Sequence, residues 1–205
     1  MNMFLLSMID GLNAEIKKAL QDEISKRGNR VAYVSSEPQS GEKPYYLANI
    51  KDFKVISDEI EVDYFDLSDD FSDELLNGLG TYGVVYLAGG NTYTFLAAAK
   101  KRNLQNILEH ILDKDGLLIG VSAGALIMTP SVELAASENL AALQDSSGFA
   151  FVPFEFFPHY EADGKEFPVG YLTKNTIYLC KNGDGIFVSG NGMKKFGDIR
   201  ELETE

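Results

Sequence analysis

Four short apolar runs, at residues 3–6, 31–34, 84–87 and 117–121, and a strand-like segment at 62–67 that alternates through Val62 and Tyr64 take turns with segments whose apolar residues recur at helical spacing. Strands that are apolar throughout have both faces buried, and parallel strands need crossovers long enough to cover those faces. The alternation therefore predicts a mostly parallel sheet between two layers of helices, a three-layer α/β fold. Leu12, Ile16, Ala19, Leu20 and Ile24 mark a first helix that ends by Gly28, and Pro44 opens a second carrying Leu47, Ile50, Phe53 and Ile56. Ser72 is placed to cap a short third helix ending near Gly78 or Gly80. One helix starts at Thr92, and another runs through Leu104, Ile107, Leu108 and Ile111 and stops at Gly116. From Phe149 onward the pattern becomes strand and turn, at 151–157, 176–180, 185–188 and in a tail around Phe196. No Pro/Ser-rich linker precedes these runs, so they are expected as extra C-terminal edge strands, with residues 1–205 forming one domain.

At 205 residues the chain can bury its own core without a disulfide or a metal. Its formal net charge of −13 repels phosphate backbones, and its few basic clusters, such as Lys17–Lys18 and Lys194–Lys195, are scattered; no nucleic-acid partner is expected. No apolar run approaches the length of a membrane span, and the run at 3–6 is too short and lacks the basic flank of an export signal. A cytoplasmic protein without a membrane partner is expected, as a monomer or small homo-oligomer. The single Cys180 sits in an apolar run and reads as a small buried hydrophobe. No H-E-x-x-H, C-x-x-C or phosphate-loop spacing is present, so no metal or cofactor is expected.

The chemistry gathers at three places. Gly120-Val121-Ser122-Ala123-Gly124 is a G-x-S-x-G sequence between an apolar run and the helix-compatible residues 125–128. A serine on so sharp a strand-to-helix turn projects its hydroxyl above the sheet, beside a helix N-terminus whose N–H groups favour developing negative charge. Ser122 is thus the candidate nucleophile, against the alternative of an idle serine on a glycine-rich turn. The base must come from one of two histidines. His110 falls off the apolar face of its helix, beside Glu109 and Asp113, and reads as solvated. His159, after an apolar strand and Pro158, begins a loop above a sheet edge and is the candidate base. The third place is Leu87-Ala88-Gly89-Gly90-Asn91-Thr92, where adjacent glycines at a strand end leave the backbone open to a ligand. Without G-x-G-x-x-G or a Walker lysine it reads as an oxyanion site, with the Gly90 N–H paired to that of Ala123; Gly89, Asn91 and Thr92 are the expected substrate contacts.

These three segments, with Pro158-His159-Tyr160 as the histidine segment, resemble in sequence and order the signature segments of the dipeptidase E (alpha-aspartyl dipeptidase) family of serine peptidases, which includes cyanophycinase. The resemblance implies a flavodoxin-like sheet related to class I glutamine amidotransferases, with Ser in place of their catalytic Cys. It implies hydrolysis of a small peptide without metal or cofactor, through Ser122 as nucleophile, His159 as base and then acid, and Gly90 and Ala123 as oxyanion donors. The family's acidic member lies a short way beyond the serine, which here points to Glu138, with Glu133 and Asp145 as competitors.

Two departures from that family follow from the residues present. The family's acid is Asp, whereas this chain offers Glu138. Selection of an N-terminal aspartate would place an arginine beyond the histidine, but residues 160–174 hold Lys165 and Lys174 and no arginine. Lysine does not replace a bidentate guanidinium clamp, so an aspartyl preference is not expected. A small-molecule esterase and a non-catalytic binding module on the same scaffold are the alternative readings.

Overall fold

The computed structural model describes residues 1–36, 43–68, 72–140, 142–161 and 166–203. Its main sheet has seven strands in the order β3-β2-β4-β5-β1-β8-β9. Strands β1 (Asn2–Leu6), β2 (Arg30–Ser35), β3 (Glu61–Asp66), β4 (Val84–Leu87) and β5 (Leu117–Val121) are parallel. Strands β8 (Gly185–Ser189) and β9 (Gly192–Phe196) extend the β1 edge in antiparallel register. The fold is the expected three-layer α/β arrangement, and β8 and β9 are the extra edge strands.

Alternate residues of each strand feed opposite cores, as the period of two in a strand requires. Phe4, Leu6, Tyr33, Tyr86, Ile119 and Val121 pack against α1 (Ala14–Ser25) and α2 (Pro44–Ile56) through Ile16, Leu20, Ile24 and Phe53. Met3, Leu5, Val34, Val85, Leu87 and Leu118 face the other layer, built from α3 (Asp73–Gly78), α4 (Thr92–Lys101), α5 (Leu104–Asp113) and α6 (Ala123–Leu126). Helix α1 starts at Asn13, whose side chain accepts from the N–H groups of Glu15 and Ile16 and so satisfies two otherwise orphaned donors. In α2 the expected apolar face shifts: Phe53 and Ile56 are buried, while Leu47 is exposed.

The C-terminal third divides between two sheets. Only Glu155–Phe157 of the expected 151–157 run pairs, as β6, and it joins β7 (Ile177–Leu179) and β10 (Arg200–Leu202) in a separate three-stranded sheet. The buried Glu155 carboxylate accepts from the hydroxyls of Tyr171 and Thr173, which fastens the segment after His159 to β6. Among the described residues no helix is long and apolar enough to cross a membrane.

Candidate active site

The G-x-S-x-G turn is built by close packing. A Cβ at Gly124 would lie 2.1 Å from the Leu87 carbonyl oxygen, and one at Gly120 would lie 2.6 Å from both the Gly124 oxygen and the Met128 sulfur. Glycine at both places lets α6 lie directly on the ends of β4 and β5. Ser122, between them, is forced to φ 51° and ψ −110°. That is a strained backbone for a residue with a Cβ, and it persists because the surrounding contacts determine it. Its N–H donates to the Leu6 oxygen at 2.9 Å, and the N–H of Gly124 donates to the Ala88 oxygen at 3.0 Å.

The hydroxyl so presented meets His159. Nε2 of His159 lies 2.9 Å from Ser122 Oγ, and Nδ1 lies 2.7 Å from Asn182 Oδ1. An amide oxygen only accepts, so Nδ1 carries the ring proton and Nε2 is left as acceptor toward the serine. His159 has φ 59° and is held by its own N–H, which donates at 2.8 Å to the hydroxyl of the fully buried Ser7. Asn182 sits in a turn locked by Asp184: the Lys181 N–H donates to the Asp184 carboxylate at 2.9 Å, and the Ser7 N–H donates to the Asp184 oxygen at 3.1 Å. Burial is the main cause that raises the Asp184 carboxyl above its usual range, partly offset by the N–H groups of Lys181 and Asp198 that donate to it.

The structure corrects the expected acid. Glu138 does not stand behind the imidazole: its carboxylate accepts from the Thr92 N–H at 2.8 Å, and its carbonyl accepts from Asn91 Nδ2 at 2.9 Å. The physical reason is the start of α4, whose unpaired N–H groups and positive dipole end draw a carboxylate. Neither competitor takes the place. Glu133 accepts from the Ser146 hydroxyl, and Asp145 pairs with Lys100, whose hydrogen bond holds its carboxyl well below the usual range. The residue facing Nδ1 is Asn182, which the sequence reading missed; its signal was the Asn182-Gly183 pair, a turn former set between two strands.

Gly89 and Gly90 line the cavity at Ser122, as does His159. Among the described residues no backbone acceptor takes the N–H of Gly90 or of Ala123, and both stand beside the serine turn. Asn91 and Thr92, expected as substrate contacts, are instead the cap of α4: the Asn91 side chain accepts from the Thr94 N–H, and Thr92 is buried. His110 is exposed on α5. Cys180 is buried, and the lost hydration, with Asp184 nearby, pushes its thiol far up and leaves no thiolate nucleophile. Lys174 is exposed, and Lys165 lies outside the described residues.

The cavity measures about 330 Å³ and opens at the C-terminal ends of β2, β4 and β5. Chain order reverses between β2 and β4, the kind of crevice where open α/β sheets bind ligands. Residues 3–195 match peptidase family S51. The chain belongs to that family. As a member of S51 it is a serine-type peptidase and hence a hydrolase. It is 23% identical over 178 residues to the uncharacterised peptidase Lmo0363 of Listeria monocytogenes, covering 82% of this chain and 86% of that one. Its fold is that of a crystal structure of a candidate peptidase E from Listeria monocytogenes, with TM-score 0.73, 23% identity and coverage of 100% and 98% of the two chains. A peptidase from an acI-B1 Actinobacterium shares this S51 fold at TM-score 0.73 and 14% identity, over 99% and 94% of the chains.

Proposed function

We propose that the chain hydrolyses small peptides, dipeptides foremost, through an acyl-enzyme on Ser122, with His159 as base and Asn182 holding the histidine. The observation that carries this reading is the chain of contacts from Ser122 Oγ to His159 Nε2 at 2.9 Å, and from Nδ1 to Asn182 Oδ1 at 2.7 Å. Nε2 takes the hydroxyl proton as Oγ bonds to the peptide carbonyl carbon, and the resulting oxyanion is received by the N–H groups of Gly90 and Ala123. The C–N bond then breaks as His159 returns the proton to the leaving amine. Water, deprotonated by the same nitrogen, attacks the acyl ester and frees Ser122 and the acid product.

Asn182 supplies orientation without charge. It keeps the imidazole in the tautomer that accepts from serine, as Asn does in Cys-His-Asn proteases, but lends no negative charge to the imidazolium. Incubating the purified chain with a fluorophosphonate and with a set of dipeptides tests the reading. Modification of Ser122, blocked in Ser122→Ala, together with dipeptide turnover is expected. Turnover of short esters with no peptide turnover would overturn it in favour of an esterase.

A further inference from the structure

The cavity has two unlike sides. His159 reaches Ser122 from the side of β1 and β8, tied there by the Ser7 hydroxyl and by Asn182. The leaving amine receives its proton from Nε2 and so departs on that side. Beyond β5, in the direction away from β1, lie β4 and β2; their Tyr86 and Tyr33 are buried beneath the opposite wall, which Tyr45, Ala48 and Asn49 of α2 complete. The two rings stack with centroids 5.0 Å apart. Both hydroxyls donate to Asn49 Oδ1, at 3.0 Å from Tyr33 and 3.3 Å from Tyr86, and Asn49 itself borders the cavity as an uncharged amide. Tyr45 and Ala48, exposed on α2, form the lip.

Charge on this wall points the same way. Among the described residues no lysine or arginine lines the cavity, and its one carboxylate, Asp10, is exposed at the edge. An acidic side chain would find no cation and one like charge. A basic side chain would find only a carboxylate in water, whose attraction is screened and small. The exposed Tyr45 ring and Ala48 at the lip instead favour burial of apolar surface.

Resting on the peptidase reading above, we infer that this wall receives the side chain of the residue on the acyl side of the scissile bond, and that this side chain is large and uncharged, aromatic or branched aliphatic. The purified full chain is assayed with Phe–Leu, Leu–Leu, Gly–Leu, Asp–Leu and Lys–Leu. Phe–Leu and Leu–Leu are expected to exceed the two charged substrates in kcat/KM by about 10-fold or more, in keeping with what a hydrophobic pocket discriminates. In Ala48→Trp, an indole at the lip should lower kcat/KM for Phe–Leu about 10-fold more than for Gly–Leu. Preference for Asp–Leu or Lys–Leu, or equal turnover of all five, overturns the pocket assignment and leaves the peptidase reading standing. Cleavage of none overturns both.

Discussion

The nucleophile and its base are held by two different kinds of structure. Ser122 sits where β5, α6 and β4 touch backbone to backbone, and its place is set by glycines that leave no room for a side chain. His159 and Asn182 lie in connections around the small sheet, where the His159 N–H donates to the Ser7 hydroxyl and the turn carrying Asn182 is held by the Lys181 N–H donating to Asp184. Close packing gives a steep cost for displacement, whereas one hydrogen bond contributes about 0.5–1.5 kcal/mol. The nucleophile half should therefore fail abruptly when altered, and the base half by degrees.

The largest effects test whether the two halves act as a unit. Ser122→Ala and His159→Ala should each lower kcat by about 10³-fold or more, measured on dipeptide turnover, while His110→Ala leaves it unchanged. If His159→Ala retained near-normal turnover, the base would have to be sought elsewhere. Next comes Gly124→Ala, whose methyl would press on the Leu87 oxygen from 2.1 Å. It should destabilise the fold by about 1–3 kcal/mol, seen as a lower denaturation midpoint, and reduce kcat about 10²-fold by moving the elbow. An unaltered midpoint would show that packing does not hold the serine.

On the base side, Asn182→Ala should cost about 10–100-fold in kcat with little change in KM or in thermal midpoint, since it frees the ring without opening the core. Asn182→Asp should cost less, because a carboxylate also accepts from Nδ1. Equal losses for both variants would mean that the amide does more than orient. The smallest effect is expected from Glu138→Gln, a few-fold in kcat at most, with a loss of about 0.5–1 kcal/mol from the start of α4. A loss comparable to that of His159→Ala would return Glu138 to the catalytic relay.

The same contrast explains what could be read from the sequence. Strands β2, β4 and β5 are buried on both faces, so their apolar runs stand out, and the helices between them keep their period. In the last third β9 is exposed along most of its length and β10 carries Arg200 and Glu201, so neither makes an apolar run. Residues 151–154 are aromatic enough to resemble a strand, yet pairing begins only at Glu155. Ser122 and His159 could be singled out because few residue types perform their chemistry. Glu138 could not be placed, because separation along the chain does not say which of two donors, an imidazole or a helix N-terminus, lies within a side chain's reach. Asn182 was hidden among ordinary turn residues, since an amide there usually serves only the turn.

Leu6 and Ser7 are consecutive residues, and between them they hold everything that must line up: the Leu6 oxygen takes the Ser122 N–H, the Ser7 hydroxyl takes the His159 N–H, and the Ser7 N–H reaches the turn that carries Asn182. The end of β1 thus works as a common gauge block, one peptide unit long, to which each loop is referred separately. An insertion in the segment between His159 and β7 need not alter the spacing of the relay, because that spacing is not transmitted through the segment. A one-residue slip of β1 would misalign serine, histidine and amide together.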